Sequence, residues 1–233
     1  MPFFLKKRHQ NLNLHKVFYK KLFMDILKIK AVVFDCDGVM FDTAMANRKF
    51  YDEVLLTFNK PILNEEQFVN VHMMTVKEAI DYLFPEMVDL SDVYDCLKNI
   101  GYHKFIQYMV MEKGLKELLI KLKDNRYIRG IATNRTNTME KVLKDFHLED
   151  YFEVVVTAAK VEKPKPDPEQ LLLIMEKFEL KPDEIFFIGD SDYDRQAAVS
   201  AKVWFAAFKN PELKADFNVD SMDEVSMILQ INQ

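Results

Sequence analysis

The 233-residue chain reads as an α/β protein: a doubly wound parallel-sheet core with an inserted helical cap. Three observations predict this. Short apolar runs alternate with helical patterns from Ala31 onward, as in a parallel sheet covered on both faces. Polar or acidic residues crowd the carboxyl end of each of the first four runs, where open α/β sheets bind ligands. Between the first run and Gly114 lies a stretch of about 70 residues without a buried-strand pattern, too long for an ordinary connection. The expected division is a basic extension over 1–28, a core over 29–43 and 114–233, and a cap over 44–113.

Each element has its own reason. Val32–Asp35 continues the apolar run from Ala31 and is the first strand. In the cap, Phe50, Val54, Leu55 and Phe58, then Ala79, Ile80, Leu83 and Phe84, recur at helical spacing, and Pro61 and Pro85 break the helices. Gly114 opens a helix carrying Leu115, Leu118, Leu119 and Leu122 on one face. Ile128–Thr133 is the second strand, followed by a helix from about Asn137 to His147. Phe152–Thr157 is the third strand. A helix over Asp167–Phe178 is entered through Pro166 and Pro168, which suit a first turn. Glu184–Ile188, Asp192–Ala201 and Val203–Ala207 continue the alternation. Phe217–Val219 is a short sixth strand, and Ser221 caps a last helix to Leu229.

Composition narrows the classes. Hydrophobic residues make up 49% and charged residues 30%, ordinary for a globular protein. No run reaches the 18 or so apolar residues of a membrane span, and Met1–Leu5 is too short for a signal-peptide core. The two cysteines, Cys36 and Cys96, are far apart, which points to a reducing, cytoplasmic compartment and away from a disulfide framework. Residues 1–30 carry a net charge of +7 and the remainder −12, against −5 for the whole. A basic amphipathic helix through Leu12, Leu14, Val17, Phe18, Leu22 and Phe23 would allow a weak surface or partner contact; a peripheral extension is the plainer reading. Initiation at Met24 would leave every motif intact. The acidic remainder gives no footprint for nucleic acid. Oligomeric state is not legible.

The chemistry begins at Asp35-Cys36-Asp37-Gly38. Two carboxylates one residue apart at the end of a buried strand require a cation to neutralise them or a proton to share. Thr133 and Asn134 end the second strand, Lys163 lies past the third, and Gly189-Asp190-Ser191-Asp192-Tyr193-Asp194 follows the fourth. All converge on one rim.

These residues resemble the haloacid dehalogenase (HAD) superfamily. Asp35-Cys36-Asp37-Gly38-Val39 with Asp42 matches its first motif, Ile131-Ala132-Thr133-Asn134 the second, Lys163 in Lys-Pro-Lys-Pro-Asp-Pro the third, and Gly189-Asp190 with Asp194 the fourth. The helical block is similar to the small cap of phosphoglycolate phosphatase and beta-phosphoglucomutase relatives, set on a Rossmann-like core. The resemblance implies a magnesium-dependent phosphatase acting on a small phosphorylated metabolite. Asp35 would be the nucleophile that forms an aspartyl-phosphate, and Asp37 the general acid and then base. Thr133, Asn134 and Lys163 would bind the phosphate. Asp35, Asp37 (through its carbonyl), Asp190 and Asp194 would hold Mg2+. Repulsion between a carboxylate and a phosphate at ~4 Å is worth about 4 kcal/mol at an effective dielectric of 20, which a divalent ion offsets.

Other polar residues read as structural. Asp42 and Asp192 suit turns or caps, Lys165 a solvated loop, and His72, His103 and His147 are isolated. Met73 and Met74 suit cap packing. Arg48, Lys49 and Lys77 are candidates for a second anionic group or a solvated face. Asp37 separates the chain from dehalogenases, whose leaving group is a halide. The sugar phosphomutase alternative is weakened because Asn47 and Gly189 stand where mutase-like sequences carry His and Glu, and because the cap lacks a Gly near Met73. A non-catalytic phosphate-binding or scaffold protein is the other alternative. Hinges are expected near Thr43–Ala44 and Lys113–Gly114.

Overall fold

The computed structural model describes residues 26–72 and 74–231. The expectations for the extension, for Met24 and for Met73 therefore lie wholly or largely outside the described residues.

A six-stranded parallel sheet forms the centre. Its strands are β1 (Ala31–Phe34), β4 (Ile128–Thr133), β5 (Val154–Thr157), β6 (Ile185–Gly189), β7 (Trp204–Phe208) and β8 (Phe217–Val219), in the spatial order β5-β4-β1-β6-β7-β8. The register sets Ala31 opposite Ile128 on one side and Ile185 on the other. The order reverses beside β1, which creates a crevice at the carboxyl ends of β1 and its neighbours.

Period-two alternation divides the buried residues between two faces. Val32 and Phe34 join Phe186 and Ile188 in one cluster; Ala31 and Val33 join Ile185 and Phe187 in the other. The first face is covered by α5 (Leu115–Asp124), α6 (Met139–Asp145) and α9 (Met222–Ile228), through residues such as Leu119, Val142 and Val225. The second is covered by α7 (Glu169–Phe178) and α8 (Asp192–Ala201), through Leu171, Ile174, Ala197 and Ala198. The sheet is doubly wound, as the sequence predicts.

The helices between β1 and Gly114 are α1 (Ala44–Thr57), α2 (Glu65–His72), α3 (Val76–Leu83) and α4 (Ser91–Ile100). Phe50, Val54, Ile80, Phe84 and Val93 bury their side chains in the same cluster as Phe34 and Met40. Short strands β2 (Phe41–Asp42) and β3 (Val110–Met111) pair antiparallel where the chain leaves the sheet and returns. The sequence did not reveal them, because two residues carry no periodicity.

Candidate active site

Asp35 directly follows β1, and its N–H donates to the Ile188 carbonyl of β6 at 2.9 Å. The backbone then turns tightly: the N–H groups of Met40 and Phe41 both donate to the Cys36 carbonyl, and Gly38 N–H donates to Phe41 O. Gly38 has a φ of +78°, and a Cβ there would lie 1.9 Å from Oδ2 of Asp190. Only glycine lets this turn approach the acid after β6 so closely. Asp42 accepts from Ala44 N–H at 2.9 Å at the start of α1.

At the centre lies Lys165. Its buried Nζ donates to Asp35 Oδ1 at 2.6 Å, Asp194 Oδ1 at 2.5 Å and the Ala132 carbonyl at 2.9 Å. Asn134 fixes this lysine from behind: its Oδ1 accepts from Lys165 N–H at 3.0 Å, and its Nδ2 donates to the Lys165 carbonyl at 2.9 Å. This corrects the sequence reading. Lys163, expected to meet the phosphate, is exposed, and its backbone N–H donates to Glu169. Lys165, expected to be a solvated loop residue, occupies the buried position instead. The Asn134 side chain is committed to the lysine's backbone.

Asp194 is held on both oxygens, by Lys165 on Oδ1 and by the Ser191 hydroxyl and N–H on Oδ2. It belongs to a capping box at the start of α8, whose Ser191 Oγ accepts from Asp194 N–H. Asp190 is positioned through its carbonyl, which accepts from Asn210 Nδ2 at 2.7 Å. Its carboxylate receives no hydrogen bond from the described residues. Carboxylate oxygens of Asp35, Asp190 and Asp194 lie within 4.8 Å of one another. Thr133 is buried at the end of β4, and its Oγ1 accepts from Arg135 N–H at 3.2 Å.

The charges are strained against one another. Burial pushes Asp35 from its ordinary 3.8 up to about 7; Lys165 pulls the other way, while Asp194 and Asp37 add to the rise. Burial, with Asp35 and Asp194 beside it, also pushes Asp190 well up. Burial alone would lower Lys165, but Asp194 and Asp35 outweigh it, so the ammonium is held charged.

One residue of the site escaped sequence reading. Arg135 grips Asp37 with two bonds, Nε to Oδ2 at 2.7 Å and Nη2 to Oδ1 at 2.6 Å. Its Nη1 donates to Thr138 Oγ1 at 3.0 Å, and the guanidinium lies 4.8 Å from the centre of the Tyr102 ring. Its only signal was its place two residues beyond the end of a strand that already offered Thr133. Between the sheet rim and the helices above it opens a cleft of about 630 Å³, lined by Asp35, Asp37, Thr133, Arg135, Lys165 and Asp190 below. At its edge Tyr193 Oη meets the Glu78 carboxylate of α3 at 2.9 Å.

This arrangement defines a class: a carboxylate at the end of the first strand, a buried lysine and further acids from a neighbouring strand. The chain belongs to the haloacid dehalogenase-like hydrolases, whose family model matches residues 32–208. The Phosphorylated carbohydrates phosphatase of Thermotoga maritima is 28% identical over 181 residues, 75% of this chain and 82% of that one. The Pyrophosphatase PpaX of Bacillus anthracis is 29% identical over 216 residues, 87% of this chain and 97% of that one. A HAD-superfamily hydrolase of subfamily IA, variant 1, from Geobacter sulfurreducens has a crystal structure that superposes with a TM-score of 0.76. It is 40% identical, with 87% of this chain and 97% of that one covered. The chain is a HAD-like enzyme of the phosphatase type. No helix among the described residues is long and apolar enough to cross a membrane.

Proposed function

We propose that the chain is a magnesium-dependent phosphatase that hydrolyses a small phosphorylated metabolite through an aspartyl-phosphate on Asp35. The observation that carries this reading is the convergence of Asp35, Asp190 and Asp194 around Lys165 at the rim of the sheet.

The donor set fits a divalent cation. Four carboxylates, Asp35, Asp37, Asp190 and Asp194, outnumber the two cations beside them, Lys165 and Arg135, by two. The Asp190 carboxylate has no hydrogen-bond or ion-pair partner among the described residues. Oxygen donors of this kind suit magnesium. Asp35, Asp190 and the Asp37 carbonyl would hold it, with Asp194 alongside. Bound there, the ion offsets the repulsion between Asp35 and the phosphate dianion and orients the phosphate oxygens.

The chain's own residues do the rest. Asp35 attacks phosphorus and the bond to the leaving oxygen breaks, while Asp37 gives that oxygen a proton. Asp37 then takes a proton from the water that hydrolyses the acyl phosphate, which regenerates Asp35. Lys165 and Thr133 bind the phosphate oxygens; Lys165 takes the role expected of Lys163. Arg135 and Asn134 are positioning residues, one for Asp37 and one for Lys165. Residues 44–113 form a cap that closes on hinges at 43–44 and 113–114 and excludes water. Free Cys36 and Cys96 suit a reducing cytoplasmic setting.

The phosphomutase alternative loses ground at Gly189, where a Cβ would lie 2.4 Å from that of Asp194 and glutamate has no room. The scaffold alternative and the main reading part in one assay. Purified protein hydrolyses p-nitrophenyl phosphate with Mg2+ and stops when the metal is chelated, and Asp35→Asn loses on the order of 10³-fold or more in kcat. Binding of magnesium and phosphate without turnover would replace the phosphatase reading with the scaffold one.

A further inference from the structure

We infer that the group esterified to the phosphate is uncharged and hydroxyl-bearing, a small polyol or sugar, and not a second anion. The inference rests on the phosphatase reading above and narrows its substrate class. Among the described residues the cleft is lined by three residues with Lys or Arg side chains: Lys77, Arg135 and Lys165. Each is already matched to a carboxylate. Lys77 Nζ lies 2.6 Å from Asp81. Arg135 spends Nε and Nη2 on Asp37 and Nη1 on Thr138. Lys165 is shared between Asp35 and Asp194.

The other cations named from sequence are engaged as well. Arg48 pairs with Glu65 and donates to the Leu63 carbonyl. Lys49 lies over the Tyr108 ring. Among the described residues, a substrate carboxylate or second phosphate thus finds no cation lining the cleft that lacks a carboxylate partner, Lys77 having its own in an exposed pair.

The upper wall is built for neutral polar groups. Tyr102 Oη donates to Asn47 Oδ1 at 2.5 Å, which turns the Asn47 amide nitrogen toward His72 Nδ1 at 3.3 Å. An amide N–H facing Nδ1 is satisfied when that nitrogen accepts, as it does in a neutral imidazole with its proton on Nε2. Burial also lowers His72 below its ordinary 6.5, against opposing pulls from Asp42 and Asp37. Tyr51 lines the same cleft at 5% exposure, and its hydroxyl has no hydrogen-bond partner among the described residues. That hydroxyl reaches the cleft and is free to meet a ligand hydroxyl. The faces of Tyr51, Phe50 and Tyr102 supply apolar contact for sugar or polyol carbons.

The test compares substrates that differ in one group. 2-Hydroxyethyl phosphate and phosphoglycolate share a two-carbon chain; one ends in a hydroxyl and the other in a carboxylate. With the wild-type chain and Mg2+, kcat/KM is expected to favour 2-hydroxyethyl phosphate by about tenfold or more, with a hexose monophosphate faster still and pyrophosphate slow. A preference below tenfold, or pyrophosphate as the fastest substrate, overturns the inference and leaves the phosphatase reading standing. Failure to hydrolyse even p-nitrophenyl phosphate removes the phosphatase reading itself, and the inference with it.

Discussion

Lys165 and Lys163 sit two residues apart in a Lys-Pro-Lys-Pro run, yet they meet opposite environments. Lys165 is buried between two carboxylates, whereas Lys163 is exposed. Replacing Lys165 with Met should lower kcat by about 100- to 1,000-fold, the scale of removing one electrostatic donor from a transition state. It should also destabilise the metal-free fold, because Asp35 and Asp194 lose their shared partner; breaking a buried pair costs about 3–5 kcal/mol. Lys163→Met should stay within about twofold in kcat and about 0.5 kcal/mol in stability. Steady-state kinetics and chemical denaturation of both variants check this, and the reverse ranking would return the phosphate-binding role to Lys163. Arg135 offers a second contrast. Arg135→Met should slow an alkyl phosphate about tenfold more than p-nitrophenyl phosphate, whose leaving group needs little protonation. Equal losses on both substrates would show that Arg135 does not act through Asp37. The acids were legible in sequence because two carboxylates at a buried strand's end are rare without a purpose. The choice between the lysines was not, since it depends on Asn134, 31 residues away, gripping the backbone of Lys165.

The turn from β1 to β2 shows what an element contributes to a site. Gly38 allows Asp190 to come against the turn, and Gly189 does the same for Asp194. Gly38→Ala forces a side chain into a left-handed conformation, at a cost of roughly 1–2 kcal/mol. It also drives a Cβ into the Asp190 carboxylate. The expected result is weaker magnesium binding, seen as an activation curve shifted to higher Mg2+ by about tenfold or more, which corresponds to about 1.4 kcal/mol or more of lost binding. An unchanged activation curve would mean that Asp190 does not hold the ion. At this scale the sequence was informative about strands and less so about their limits. The fourth strand was expected over Glu184–Ile188 and is Ile185–Gly189; the helix after β4 was expected from about Asn137 to His147 and is Met139–Asp145. The apolar runs mark buried pairing, but hydrogen bonds to neighbouring strands decide where pairing stops. For β2 and β3 there was no pattern to read, because the pair is created by bringing the chain's exit and return together.

At the scale of the whole molecule, the buried acids tie stability to pH and metal. Asp35 is raised from 3.8 to about 7, and Asp190 is raised as well. In the metal-free protein the folded state therefore holds protons that the unfolded chain releases. The favourable contribution of Asp35 is fully present below about pH 4 and is lost as pH rises through about 7; stability from this group falls across that window. A divalent cation needs these carboxylates ionised, so its binding expels the protons, and its affinity climbs over the same range. Thermal melts with and without saturating Mg2+ should therefore diverge as pH increases from 5.5 to 8. A ligand at 100 times its Kd stabilises by about 2.7 kcal/mol, so a shift small at pH 5.5 should reach several degrees at pH 8, and Asp190→Asn should abolish most of it. A magnesium-induced shift that is flat with pH, or greatest at pH 5.5, would show that the ion does not compete with protons for these carboxylates. The cluster at the sheet's rim would then be a proton-sharing acid group held by Lys165, and the magnesium step of the proposed reaction would have to be abandoned.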